Sequence, residues 1–100
     1  MIKVTIEKED NNYKKISILG HAMYADYGKD IVCSAVSSIV TTTVNGILKI
    51  EDGSLSYLQN KEGVNITVNK TDKVTQTLIE NMVSLLRELE SNYPKNIQVK

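Results

Sequence analysis

One cysteine and one histidine are all this chain of 100 residues offers of either type, and each scarcity excludes something. A lone cysteine forms no intrachain disulfide, and one Cys with one His supplies two ligands where structural zinc takes four. Lys plus Arg and Asp plus Glu stand at 12 each. With no basic cluster, the long-range attraction behind non-specific nucleic-acid binding is missing. No glycine-rich phosphate motif occurs either: Gly20 and Gly28 are isolated, and Asn45-Gly46 lies inside a predicted helix, where a missing side chain would let another backbone approach. Residues 1–7 read as a strand without the apolar core of a signal peptide, so the expected location is the cytoplasm. No linker or low-complexity tract interrupts the chain, which is expected to form a single domain over residues 1–100.

What is present alternates between two periods. Ile2, Val4 and Ile6 interleave with Lys3, Thr5 and Glu7, the period-two mark of a strand with one wet face. Asp10-Asn11-Asn12 turns the chain into residues 13–19, completing a hairpin. Residues 20–29 have no sustained period and a glycine near each end, which predicts a mobile loop. Asp30 is a favourable N-cap, predicting a helix from Ile31 to about Ile50 with Val32, Val36, Ile39, Thr43 and Ile47 on one face. Ala35, Val40, Val44 and Leu48 widen that face toward contacts on more than one side. Residues 31–48 carry no charge, yet their serines and threonines make the segment too polar for lipid, so a buried helix of a soluble protein is expected. Its β-branched residues make it a poor helix alone, so packing must hold it.

A second hairpin is predicted around Asn60-Lys61-Glu62-Gly63, and a second helix capped by Thr71 or Asp72 with Val74, Leu78, Met82, Leu85, Leu86 and Leu89 as its apolar stripe. Pro94 follows that helix, and Ile97 and Val99 make a short terminal strand. The order β-β-α-β-β-α-β predicts an α+β fold, a mostly antiparallel sheet packed with two helices.

His21 and Cys33 stand twelve positions apart across the predicted loop. A thiol attacks as thiolate, and imidazole is the common group for taking its proton and later protonating a leaving group. With Asp30 as N-cap, Cys33 would sit in the first helical turn, where free amides favour an anion. The backbone N–H groups of Cys33 and Ser34 would then be candidates for an oxyanion hole. The plainer reading of Cys33 is a small buried hydrophobe, and of His21 a backbone-bonded loop residue. Asp30 reads first as a cap and second as a group orienting His21, and Asp26 reads as a solvated charge. Tyr24 and Tyr27 read equally as loop packing or, with Gly28, as parts of a substrate loop closing over a bound peptide.

The segments Gly20-His21-Ala22, Tyr27-Gly28-Lys29-Asp30-Ile31-Val32-Cys33, Ala35-Val36-Ser37 and Thr42-Thr43-Val44-Asn45-Gly46 together resemble the ribosomal-processing cysteine protease family, Prp. The similarity is specific across residues 20–47 and fainter toward both termini, with Met23 and Ser34 at positions where smaller residues of variable type are expected. It implies a homodimeric α+β peptidase that removes the N-terminal extension of bacterial large-subunit ribosomal protein twenty-seven, cutting after a pair of phenylalanines. By motif match, Cys33 would be the nucleophile, His21 its general base and acid, and Asp30 an assisting acidic residue. The implied path runs through a thioester and needs no metal or organic cofactor. Two rivals predict different behaviour: a non-catalytic thiol redox module tuned by His21, and a ribosome-assembly binding protein without chemistry.

Overall fold

The protein is described by a computed structural model over residues 1–20 and 27–100, with side chains described outside residues 21–30. Five strands and two helices follow the predicted order: β1 (Ile2–Glu9), β2 (Asn12–Leu19), α1 (Tyr27–Ile50), β3 (Leu55–Asn60), β4 (Gly63–Val68), α2 (Lys73–Asn92) and β5 (Ile97–Val99). They form one sheet in the order β3-β4-β2-β1-β5. Every neighbouring pair is antiparallel except β1 with β5, which is parallel.

The first hairpin turns at Asp10 and Asn11, both at positive φ (52° and 67°). That is the backbone a two-residue turn needs to match strand twist, and Asp and Asn tolerate it better than other residues with a Cβ. The second hairpin is held by the Asn60 carboxamide oxygen, which accepts from the amides of Glu62 (2.8 Å) and Gly63 (3.3 Å). Gly63 is required there. Its φ is +151°, and a Cβ would lie 2.0 Å from the Ile18 carbonyl oxygen on the neighbouring strand.

Register fixes which side chains share a face. Val4 pairs with Ile18, Ile18 with Val64, Ile16 with Ile66 and Ile66 with Tyr57, so these residues point to one side. Both helices cover that side, burying Ile2, Val4, Ile16, Ile18, Ile66, Val68, Ile97 and Val99 against Val32, Val36, Val40, Val44 and Ile47 of α1 and Ile79, Met82, Val83 and Leu86 of α2. By length and composition alone Ile31–Ile50 would be apolar enough to cross a membrane. Here its valine stripe is core.

Two elements differ from the sequence expectation. On α2 the buried stripe runs through Thr75, Ile79, Met82, Val83 and Leu86, leaving Val74 (51 % exposed) and Leu85 (39 %) outside. Met82 and Leu86 of the expected stripe are buried and Leu78 and Leu89 pack against the core, while Thr75, Ile79 and Val83 join it in place of Val74 and Leu85. On α1 the helix begins at Tyr27 and not after Asp30. At Gly46 a Cβ would meet nothing within 4 Å, so no other backbone among the described residues approaches it.

Side chains tie strands to helices. The Gln76 carboxamide accepts from the Tyr13 amide (2.7 Å) and donates to the carbonyls of Tyr13 (3.1 Å) and Lys70 (2.9 Å). Asp72 caps α2, accepting from the Thr75 amide at 3.2 Å. Hydrogen bonds from the Thr75 side chain and amide hold the Asp72 carboxyl below its ordinary value.

Candidate active site

Cys33 is a free, half-buried thiol on α1. It stands at one end of a stripe formed with Val36, Ser37, Val40 and Thr41, spaced at i+3, i+4, i+7 and i+8 and therefore on one side of the helix. This stripe is one wall of a cleft of about 160 Å³. The floor comes from Ile2, Ile18 and Val64 of the sheet, and the opposite wall from Tyr57 and Gln59 of β3. Among the described residues, none that lines the cleft carries a charge. Leu55 at the start of β3 is buried, whereas Tyr57 and Gln59 further along the strand share its core-facing side and yet remain exposed. Their side chains are joined by a hydrogen bond of 2.8 Å between the Tyr57 hydroxyl and Gln59 Oε1.

The other predicted partner is approached from the backbone. Gly20, which precedes His21 in the chain, has φ +75°, and its amide donates to the Glu62 carbonyl at 3.2 Å. Glu62 is followed by Gly63, a residue of the cleft. The end of β2 is thereby pinned at the rim of the space that Cys33 borders. His21, Tyr24 and Asp26 lie outside the described residues, as do the side chains of Tyr27 and Asp30.

The earlier helix start changes two expectations. Asp30 is the fourth residue of α1 and not its N-cap, and Gly28 and Lys29 belong to the helix and not to a loop. Cys33 becomes the seventh helical residue. In an α-helix only the first four amides lack an internal acceptor, so the N–H groups of Cys33 and Ser34 belong to the i→i−4 ladder and are not free to form an oxyanion hole. Ser34 itself is exposed. The sequence reading also passed over Tyr57 and Gln59. Alternation from the buried Leu55 puts both on the inner face, and a glutamine there was the available sign that the core stops at β3.

A partly exposed thiol at the end of a cleft, on an α+β frame with its helices on one side of the sheet, fits a cysteine-dependent enzyme. The family model described as Cysteine protease Prp matches residues 1–98, and the chain belongs to that family of cysteine proteases. The ribosomal processing cysteine protease Prp of Bacillus subtilis (strain 168) is 29% identical over 110 residues, covering 99% of this chain and 96% of that protein. Its counterpart in Staphylococcus aureus (strain Mu50) is 30% identical over 103 residues, covering 99% and 97%. Among solved structures, the ribosomal processing protease Prp from S. aureus in complex with a substrate peptide superposes with a TM-score of 0.91 at 26% identity, covering 100% of this chain and 98% of that one. The five-stranded sheet with two helices is thus the frame of a known peptidase family.

Proposed function

We propose that Cys33 and His21 are the nucleophile and the general base and acid of an endopeptidase that trims the N-terminal extension of large-subunit ribosomal protein twenty-seven. The observation that carries this reading is the placement of the partly exposed Cys33 on the cleft wall, with Gly20, the residue before His21, anchored at the same rim. A relative of the same fold binds a substrate peptide, and an uncharged cleft suits the neutral side chains of a peptide better than phosphate or nucleotide.

In the proposed reaction His21 takes the thiol proton and Cys33 Sγ attacks the scissile carbonyl carbon. The tetrahedral intermediate collapses to a thioester as the amine leaves with the proton from His21. Water, deprotonated by His21, then attacks the thioester and releases the carboxylate, restoring the thiol. Asp30 precedes Cys33 by three residues on α1 and is proposed to assist. Tyr24, Tyr27 and Gly28 are proposed substrate contacts, and no metal or organic cofactor enters. The proposal further places the enzyme in the cytoplasm as a homodimer, which a mass measurement in dilute solution tests.

The decisive test incubates a peptide spanning the extension with the wild type, Cys33→Ala and His21→Ala. Cleavage is expected from the wild type and lost from both variants by about 1,000-fold or more. An uncut peptide with the wild type would instead favour the redox or assembly readings.

A further inference from the structure

The sheet has two outer edges, and they are treated differently. At β5 the strand has only three residues, and the outward amide of Val99 donates to the Glu90 carboxylate at 2.9 Å. At β3 the edge runs six residues, Leu55–Asn60, with no charged residue and no proline. Charge, proline, shortness or a side-chain cover are the usual means of closing an edge to further pairing. Among the described residues, β3 has none of them.

Register says which groups this edge offers. A two-residue turn joins Asn60 to Gly63, so that pair must be of the hydrogen-bonded kind, and alternation along the ladder makes Leu58–Asn65 and Ser56–Thr67 hydrogen-bonded as well. The amides and carbonyls of Tyr57 and Gln59 therefore point away from β4, and neither residue's main chain has a partner outside the ladder among the described residues. These are the two residues whose side chains wall the cleft opposite Cys33. One strand thus presents free main-chain groups outward and shapes the inner face beside the thiol. Resting on the peptidase reading above, we propose that substrate binds as a sixth strand, its main chain paired with Tyr57 and Gln59 along the open edge of β3.

An added strand places alternate side chains on the inner face, toward α1, and the others toward solvent. Main-chain pairing supplies affinity without regard to sequence, and the neutral cleft selects the inward side chains. The partner is an extended peptide and not a second β3, because the open edge is continuous with the wall of the thiol's cleft.

The pairing is tested through main-chain chemistry. A set of peptides spanning the ribosomal-protein extension, each N-methylated at one successive amide, is compared with the unmethylated peptide as substrate of the wild type. Sensitivity is expected at every second amide, with KM raised about tenfold at each paired position. In the enzyme, Gln59→Ala keeps the outward amide and Gln59→Pro removes it. Proline is tolerated where an edge amide faces outward, so both variants should fold, and the proline variant should show a KM about tenfold above the alanine variant. Uniform tolerance of N-methylation, or equal kinetics of the two variants, would overturn the sixth-strand proposal. So would a Gln59→Pro variant that changes from dimer to monomer while cleaving normally, which would assign the edge to a second copy. Failure of the peptidase reading is separate, since it shows as an unmethylated peptide left uncut by the wild type or as cleavage that survives Cys33→Ala.

Discussion

At the scale of single residues, the site depends on backbone positions as much as on the thiol. Gly63 supports the cleft where β2 and β4 approach, and a Cβ there would also lie 3.0 Å from the Ile18 carbonyl carbon and from Leu19 Cα. These atoms are backbone and cannot swing aside. Gly63→Ala is therefore expected to destabilise the fold by about 3 kcal/mol, combining strain at φ +151° with a steric clash. Urea unfolding checks this, and an unchanged midpoint would show that the strands can move apart. Some of this was legible in the sequence. Asn60-Lys61-Glu62-Gly63 marked a turn, but the contact with Ile18 depends on β2 lying beside β4, which no local pattern states. Cys33 and His21 stand out in the sequence for a different reason, since each is the single residue of its kind in the chain and lies in the segment that resembles the family.

At the scale of elements, the two helices show where periodicity reads well and where it slips. The valine-rich face of α1 was visible, and Val32, Val36, Val40, Val44 and Ile47 are buried. Its start was not, because Asp30 has the chemistry of a cap and equally fits the first turn of a helix, where acidic residues complement the dipole. The oxyanion assignment built on that start failed with it. On α2 the apolar residues exceed what one face can bury, so the sequence permits two stripes and packing chooses one. Ile79→Ala is expected to cost about 2–5 kcal/mol because the side chain is wholly enclosed, while Leu85→Ser should change stability by less than about 0.5 kcal/mol. Denaturant midpoints of the two variants distinguish this stripe from the one expected from sequence, which would make Leu85 the costlier loss.

The cap of α2 carries a pH dependence of its own. The Asp72 carboxyl sits below the ordinary value of 3.8 because it accepts hydrogen bonds from Thr75. A carboxyl lowered on folding stabilises the native state above its unfolded value, and the contribution disappears as pH falls from about 3.8 through the lowered folded value. Asp72→Asn keeps an accepting oxygen and removes the titration. The difference in melting temperature between wild type and this variant should thus shrink on acidification through that window and stay level above it. An undiminished difference at low pH would detach the cap from the carboxylate.

For the whole molecule, local patterns supplied the seven elements in order but not their arrangement. The parallel neighbour relation of β1 and β5 joins the two ends of the chain, with Ile2 against Ile97 and Val4 against Val99. It follows from the need of a three-residue apolar strand to bury Ile97 and Val99 against the sheet and α2, a tertiary requirement invisible in residues 97–99 alone. At the other side of the sheet β3 is buried at Leu55 but exposed at Tyr57 and Gln59, which wall the cleft beside Cys33. The central claim is that the lone thiol beside this cleft carries the acyl group during cleavage. Acid quenching of the wild-type enzyme during turnover of the ribosomal-protein precursor, followed by mass spectrometry, tests it directly. The account predicts a hydroxylamine-labile adduct of the N-terminal fragment on Cys33; product formed with no adduct, or with one on any other residue, would contradict it.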